Sequence, residues 1–250
     1  MIQLTRYLIW LLLVIFSTGI SFSQDSDHTT EMKMVDAYVA SGDNSKALLA
    51  LEDILVKDPT YIEAQEKKIE ILNHQGRSKD AFNDIEEYIS MYPSNPEYFY
   101  LRGILNLQKE KFSRAVEDFN TAIQYEMPEK YLYKVYLNRG MAHFNNQDFD
   151  LAEGDFEEVL NRKPKNAAAY HGKGMVDYEQ GEYENAIVEF QKAIHIEDDN
   201  PITYFNLAMT YFRLDDKDNA CYNFNKSCAL GHRNACRLLL MECDINISNK

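Results

Sequence analysis

The stretch Tyr133–Asn200 carries one pattern twice, and that repetition limits what the chain can fold into more than any other feature. YLNRGMAHFNNQDFDLAEGDFEEVLNRKP is answered further along by YHGKGMVDYEQGEYENAIVEFQKAIHIED. Superimposed, Tyr136 falls on Tyr170, Gly140 on Gly174, Phe149 on Tyr183, Ala152 on Ala186 and Phe156 on Phe190, each at an offset of 34 residues. A fixed period of this length describes stacked units, none of which can bury its own apolar face alone.

The same ruler phases six units. Unit one, about 28–61, carries Tyr38, Gly42, Ala47, Leu51 and a closing Asp58-Pro59; unit two, about 62–95, carries Leu72, Gly76, Ala81, Ile85 and Pro93. These two are degenerate, with Val35 and Ile69 at the position that is small elsewhere. Unit three, about 96–129, has Phe99, Gly103, Phe112, Ala115, Phe119 and Ala122. Three extra residues near Lys130–Leu132 follow and lengthen the turn or the next helix. Units four and five are the opening pair. Unit six, about 201–234, has Tyr204, Ala208, Tyr211, Ala220 and Phe224.

An aromatic, a Gly four residues on, an Ala twelve after that and a Phe four further resemble the tetratricopeptide repeat, a helix–turn–helix unit. The resemblance covers most of the chain and implies an all-α, right-handed α-solenoid of about six such units plus a C-terminal capping helix. Gly103, Gly140, Gly174 and Ala208 then sit midway along first helices, with Ala115, Ala152, Ala186 and Ala220 answering from second helices. Asn95-Pro96 and Asn200-Pro201 read as an N-cap followed by Pro at the first helical position. Gly42, Gly76 and Gly181 fall in turns within units. The domain reading is therefore two degenerate units over 28–95, four regular ones over 96–234, and a capping helix over 233–243.

Residues 1–23 read as an address. Arg6 precedes the apolar run Tyr7–Phe16, and Ser21-Phe22-Ser23 precede Gln24, the layout of a cleaved signal peptide. The run is short for a membrane span. Residues 24–27 are expected to form a short disordered lead and 244–250 a disordered tail. The expected location is exported, periplasmic or cell-envelope associated, with membrane association only through a partner or an uncleaved signal.

All four cysteines lie between Cys221 and Cys243. Cys221 and Cys228 are seven apart on one helix, as are Cys236 and Cys243 on the next, so each pair shares a helix face. Facing residues of an antiparallel hairpin keep a constant sum of positions, which selects Cys228–Cys236 and Cys221–Cys243 as two disulfide rungs in an oxidising compartment. The alternative is four small buried hydrophobes.

A net charge of −14, spread along the helices, argues against nucleic acid as partner, because phosphate backbones require a basic face. There is no HExxH, GxSxG, phosphate loop or GxGxxG. No catalytic residue, metal site, cofactor or small-molecule substrate is expected, and His143 and His171, on adjacent first helices, lack a third ligand.

Where the resemblance holds, first helices line a concave face that contacts ligands. Carried onto this sequence, the peptide-binding positions are Tyr100, Leu101, Ile104 and Leu107 in unit three, and Leu137, Asn138, Met141, Phe144 and Asn145 in unit four. Unit five offers His171, Met175 and Tyr178; unit six offers Phe205, Asn206, Met209, Phe212 and Arg213. The stripe is apolar, with Met recurring at one position in three units, which suits adaptable contact with an apolar peptide or helix. Arg213 is the one cation among these positions, so the basic clamp needed for an acidic C-terminal tail is missing. The expected function is a non-enzymatic protein–protein interaction scaffold of the cell envelope. Alternatives are a periplasmic assembly chaperone for exported proteins and an accessory subunit of an envelope enzyme or transporter.

Overall fold

The computed structural model describes residues 28–243, and among them there are thirteen α-helices and no strand. The proposed address at 1–23, the lead at 24–27 and the tail at 244–250 lie outside the described residues. No helix among the described residues is long and apolar enough to cross a membrane. The helices form two compact units, one ending at Ile71 and one beginning at Leu72.

In the first unit, α1 (Thr29–Ala40) and α2 (Asn44–Lys57) pair across a turn at Gly42, whose φ of 77° is a left-handed value that glycine adopts without a Cβ clash. The Asp43 side chain starts α2 by accepting the Lys46 N–H at 3.1 Å. Val35, Ala47, Leu51 and Ile54 form the core with Ala64 and Ile71 from α3 (Ile62–His74). Val35 is fully enclosed, so this pair accommodates a branched side chain where later units have glycine.

The second unit continues α4 (Ser78–Met91), α5 (Pro96–Gln108), α6 (Phe112–Gln124), α7 (Glu129–Asn145) and α8 (Phe149–Arg162). It is completed by α9 (Ala167–Gln180), α10 (Tyr183–Ile196), α11 (Pro201–Arg213), α12 (Lys217–Ala229) and α13 (Arg233–Glu242). The architecture is an all-α solenoid. Asn95 Oδ1 accepts the Glu97 N–H at 2.9 Å and Asn200 Oδ1 accepts the Ile202 N–H at 3.0 Å, each with proline opening the helix. The three inserted residues go into the first helix of unit four: α7 runs 17 residues, where its counterparts have 13 or 14. The extra turn buries Tyr131.

Small residues do the work the spacing assigns them. A Cβ on Gly103 would lie 2.6 Å from the Phe119 ring, and one on Gly140 2.9 Å from Phe156. Gly172, which the repeat pattern did not single out, meets Phe156 from the following unit at 2.5 Å. Each Phe ring is thus seated on helix backbone, and each is almost wholly buried. Burying such a ring stabilises by about 1.5–3 kcal/mol.

A polar ladder accompanies these contacts. Arg102 on α5 grips the buried Asp118 on α6 with Nε and Nη2, at 3.0 and 2.6 Å to Oδ1. Arg139 on α7 grips Asp155 on α8 in the same way, at 2.9 and 2.6 Å. Unit five breaks the series: Lys173 pairs with Glu157 and Glu153 of α8 instead of with Glu189 of its own unit. The signal in the sequence is an Arg and an Asp 16 residues apart, repeated in register.

The end of the solenoid is α13, which lays Ala235, Leu239 and Cys243 against Ala208, Ala220 and Phe224. Cys221 joins Cys243 and Cys228 joins Cys236, with Cα–Cα distances of 5.7 and 4.7 Å. These are the pairs with equal position sums.

Candidate peptide-binding groove

Three of the first helices, α5, α9 and α11, start at a capping asparagine, and α5, α7, α9 and α11 each set a small residue, Gly103, Gly140, Gly174 or Ala208, against the partner helix. Ile104, Leu107, Leu137, Met141, Phe144, Met175, Tyr178, Phe205 and Met209 are all half-buried, as side chains lining an open surface are. Phe212, Arg213 and Asn145 are exposed. Two positions differ from expectation. Tyr100 is 1% exposed and Leu101 fully buried, so neither is offered to a ligand. Tyr100 instead packs its ring near Phe119 and takes a 3.4 Å hydrogen bond from Asn138.

The asparagines are committed between repeats. Asn138 Nδ2 donates to Tyr100 in the preceding unit and to the Lys134 carbonyl. Asn206 Nδ2 lies 3.3 Å from Nε2 of His171, again in the preceding unit. His171 Nδ1 meets Thr203 Oγ1 at 2.9 Å. These partners fit a neutral ring with its proton on Nδ1, so that Nε2 accepts from the amide. Burial favours the same state, pushing the His171 pKa down to about 4. The two candidate histidines do not act together. His143 is 8% exposed beside Asp148 and Asp155, while His171 bridges α9 and α11.

Arg213 is occupied too. Its Nε donates to the Tyr183 hydroxyl at 3.1 Å, and its guanidinium lies over the rings of Tyr178 and Tyr183 at 5.8 and 5.6 Å.

Between α9 and α11 the stripe deepens into a cavity of about 190 Å³. Met175, Tyr178, Phe205 and Met209 form its walls, Phe190 of α10 lies beneath, and Asn206 and Glu179 supply the polar edge. Neither Phe190 nor Glu179 belongs to the stripe deduced from the sequence. Phe190 arrives because Gly174 lets its ring down onto α9, where a Cβ would lie 2.8 Å away. Elsewhere on α9, Asp177 has its carboxyl pushed up to about 6, first by burial and then by Glu153, Glu189 and Glu182.

Comparison with known proteins gives the following likenesses. Residues 133–166 and 202–230 match the family described as tetratricopeptide repeat, and residues 174–215 match the one described as TPR repeat. Residues 28–131 match the TT21 fifth ARM repeats domain. Tetratricopeptide repeat protein 13 of Homo sapiens is 31% identical over 126 residues, covering 50% of this chain and 14% of that protein. Peptidyl-prolyl cis-trans isomerase FKBP4 of Bos taurus is 42% identical over 68 residues, covering 27% of this chain and again 14% of the relative. The Cut9 and Hcn1 hetero-tetramer of the APC/C is similar in fold with a TM-score of 0.71 at 16% identity, over 93% of this chain and 46% of that one. PilW, a type IV pilus biogenesis factor, is similar with a TM-score of 0.66 at 18% identity, over 86% of this chain and 99% of that one.

Proposed function

We propose that the chain, whose residues 133–166, 174–215 and 202–230 match tetratricopeptide-repeat models, is a non-enzymatic scaffold seating a segment of a partner protein along α5, α7, α9 and α11. The observation that carries this reading is the cavity of about 190 Å³ between α9 and α11, set within an apolar stripe. An apolar cavity of about 150 Å³ holds a benzene ring. Sites for cofactors and drug-sized molecules run to about 300–1,000 Å³. The cavity therefore suits one large apolar side chain of a polypeptide. Met141, Met175 and Met209 recur along the stripe, and their unbranched side chains adapt to an anchor of either aliphatic or aromatic shape.

The scaffold is proposed to work outside the cytoplasm, in the periplasm or attached to the cell envelope. The apolar segment within residues 1–23 and the pairing of all four cysteines support this. Fractionation with intact-mass measurement tests the location: a mature chain beginning at Gln24 and lacking alkylatable thiols is expected, and a full-length reduced chain overturns it.

Site-specific photocrosslinking in native envelopes tests the groove. A photoreactive residue at Met175 or Met209 is expected to capture one discrete partner, and one at the exposed Leu151 or Val188 on second helices is not. Met175→Glu/Met209→Glu should abolish association while circular dichroism stays unchanged. Capture only from Leu151 or Val188 would move the working surface to the second helices.

A further inference from the structure

We propose that the Cys228–Cys236 disulfide is a thiol-sensitive clamp on the groove, holding the Phe205 wall of the cavity through His232. The proposal rests on the groove reading above and concerns the regulation of that site.

The capping helix makes a small apolar contact. α13 is ten residues long, too short to persist on its own, and it sets Ala235, Leu239 and the half-buried Leu238, with Cys243 just beyond its end, against the last repeat. Leu240 and Met241 point to solvent at 66% and 68% exposure. Two disulfides therefore fix it, and they fix different ends. Cys221–Cys243 joins the start of α12 to the residue that follows α13, while Cys228–Cys236, only 8 residues apart, clamps the turn between the helices.

That turn reaches the groove. His232 is the N-cap of α13, its Nδ1 accepting the Ala235 N–H at 3.2 Å. The His232 ring lies 4.4 Å from the ring of Phe205, centroid to centroid. Phe205 in turn packs against Phe224 and forms a wall of the cavity beside Met209. A wall held on its outer side by the cap loses one of these two ring contacts when the cap moves.

Opening the clamp is thiol–disulfide exchange with a dithiol. One thiolate of the dithiol attacks a sulfur of Cys228–Cys236, breaking the S–S bond and releasing the other cysteine as thiolate. The second thiol of the reagent then displaces the first cysteine. The protein gains two electrons and two protons, and the dithiol leaves as a disulfide.

The test is methyl NMR of the full chain labelled at methionine, oxidised and after dithiothreitol, with alkylation and peptide mapping by mass spectrometry identifying which cysteines opened. Met209 and Met175 report the cavity without any ligand, and Met141, one unit away, is the internal control. Met209 is expected to shift on reduction, in Cys228→Ser/Cys236→Ser, and in His232→Ala with both disulfides intact. Met141 should stay in place, as should Met209 in Cys221→Ser/Cys243→Ser. An unmoved Met209 after Cys228–Cys236 opens, or in His232→Ala, overturns the clamp; so does an equal shift from opening Cys221–Cys243. Because no partner is present, a negative result counts against the clamp alone, and the crosslinking experiment judges the groove.

Discussion

The ring of Phe190 rests on the backbone of Gly174, so close that a Cβ on the glycine would lie 2.8 Å from the ring's Cδ1. Phe190 is 1% exposed and also underlies the cavity, so it cannot retreat without disturbing both the repeat and the groove. Gly174→Ala gains about 1 kcal/mol of helix propensity but overpacks a closed contact, which costs about 1–3 kcal/mol. The overpacking wins, and a lowered urea midpoint is expected. Gly154, on α8, supplies the control, because nothing stands within 4 Å of its added Cβ. Gly154→Ala should therefore stabilise by up to about 1 kcal/mol and raise the midpoint. The same sign for both substitutions would remove the close-approach account of the glycines.

The turns within units need a left-handed residue whatever the sequence supplies. Gly76 and Gly181 take φ of 71° and 81°, while Glu110, Gln147 and Asp215 hold 56°, 67° and 59° at the corresponding positions. A side chain with a Cβ pays about 1–2 kcal/mol for that conformation, partly offset by the entropy a glycine loses on folding. Gln147→Gly and Glu110→Gly are each expected to stabilise, by about 0.5–1 kcal/mol. Thermal unfolding of single and double variants checks this, with additive increases expected because the two turns are separate. Lower melting temperatures would mean that entropy, not the Cβ clash, governs these turns.

Periodicity made the helix pairs readable, because the small positions and ring positions recur at one spacing and only a helical hairpin satisfies both. The cysteine pairing was readable for a similar reason, since an antiparallel hairpin imposes a constant sum of positions. The groove was legible in outline only. Tyr100 and Leu101 share the register of groove residues in later units, yet unit three buries them, Tyr100 against Phe119, and register says nothing about that burial. Phe190 and Glu179 were missed because depth depends on which ring shows between two first helices. The Arg–Asp ladder left a trace, but its spacing of 16 joins neighbouring helices and falls outside patterns sought within one helix.

Asp118 is the point where that ladder is most exposed to mutation. Its carboxylate accepts from Arg102 and, at 2.8 Å, from the Asn106 amide, inside a site it leaves only 4% accessible. Asp118→Ala strands a half-buried guanidinium and an amide donor together. Breaking a fully buried pair costs about 3–5 kcal/mol, and Arg102 retains Glu86 as a second partner, so about 2–3 kcal/mol is expected here. Glu86→Gln, at the exposed end of the same arginine, should cost under about 1 kcal/mol. Urea unfolding of both variants decides it; equal losses would show that burial does not set the strength of the ladder.

Asp177 should make the fold less stable at neutral pH than in mild acid. Its carboxyl is raised to about 6, by burial first and then by Glu153, Glu189 and Glu182, with Lys173 offsetting part of the effect. In an unfolded chain the group titrates near about 3.9. Between those values the folded protein binds more protons, so this contribution is complete below the unfolded pKa and is lost as pH rises through the folded one. His171 runs the other way: held neutral down to about 4, it costs stability as pH falls from about 6.5. Comparing Asp177→Asn with wild type cancels the His171 contribution. The variant should be more stable by about 1–2 kcal/mol at pH 7.5, after allowance for solvent screening. Its advantage should shrink as pH falls through about 6 and vanish near about pH 3, where the wild-type carboxyl is protonated in both states. Urea midpoints across that range test the sign, and an advantage that does not change with pH would assign the effect to packing rather than to ionisation.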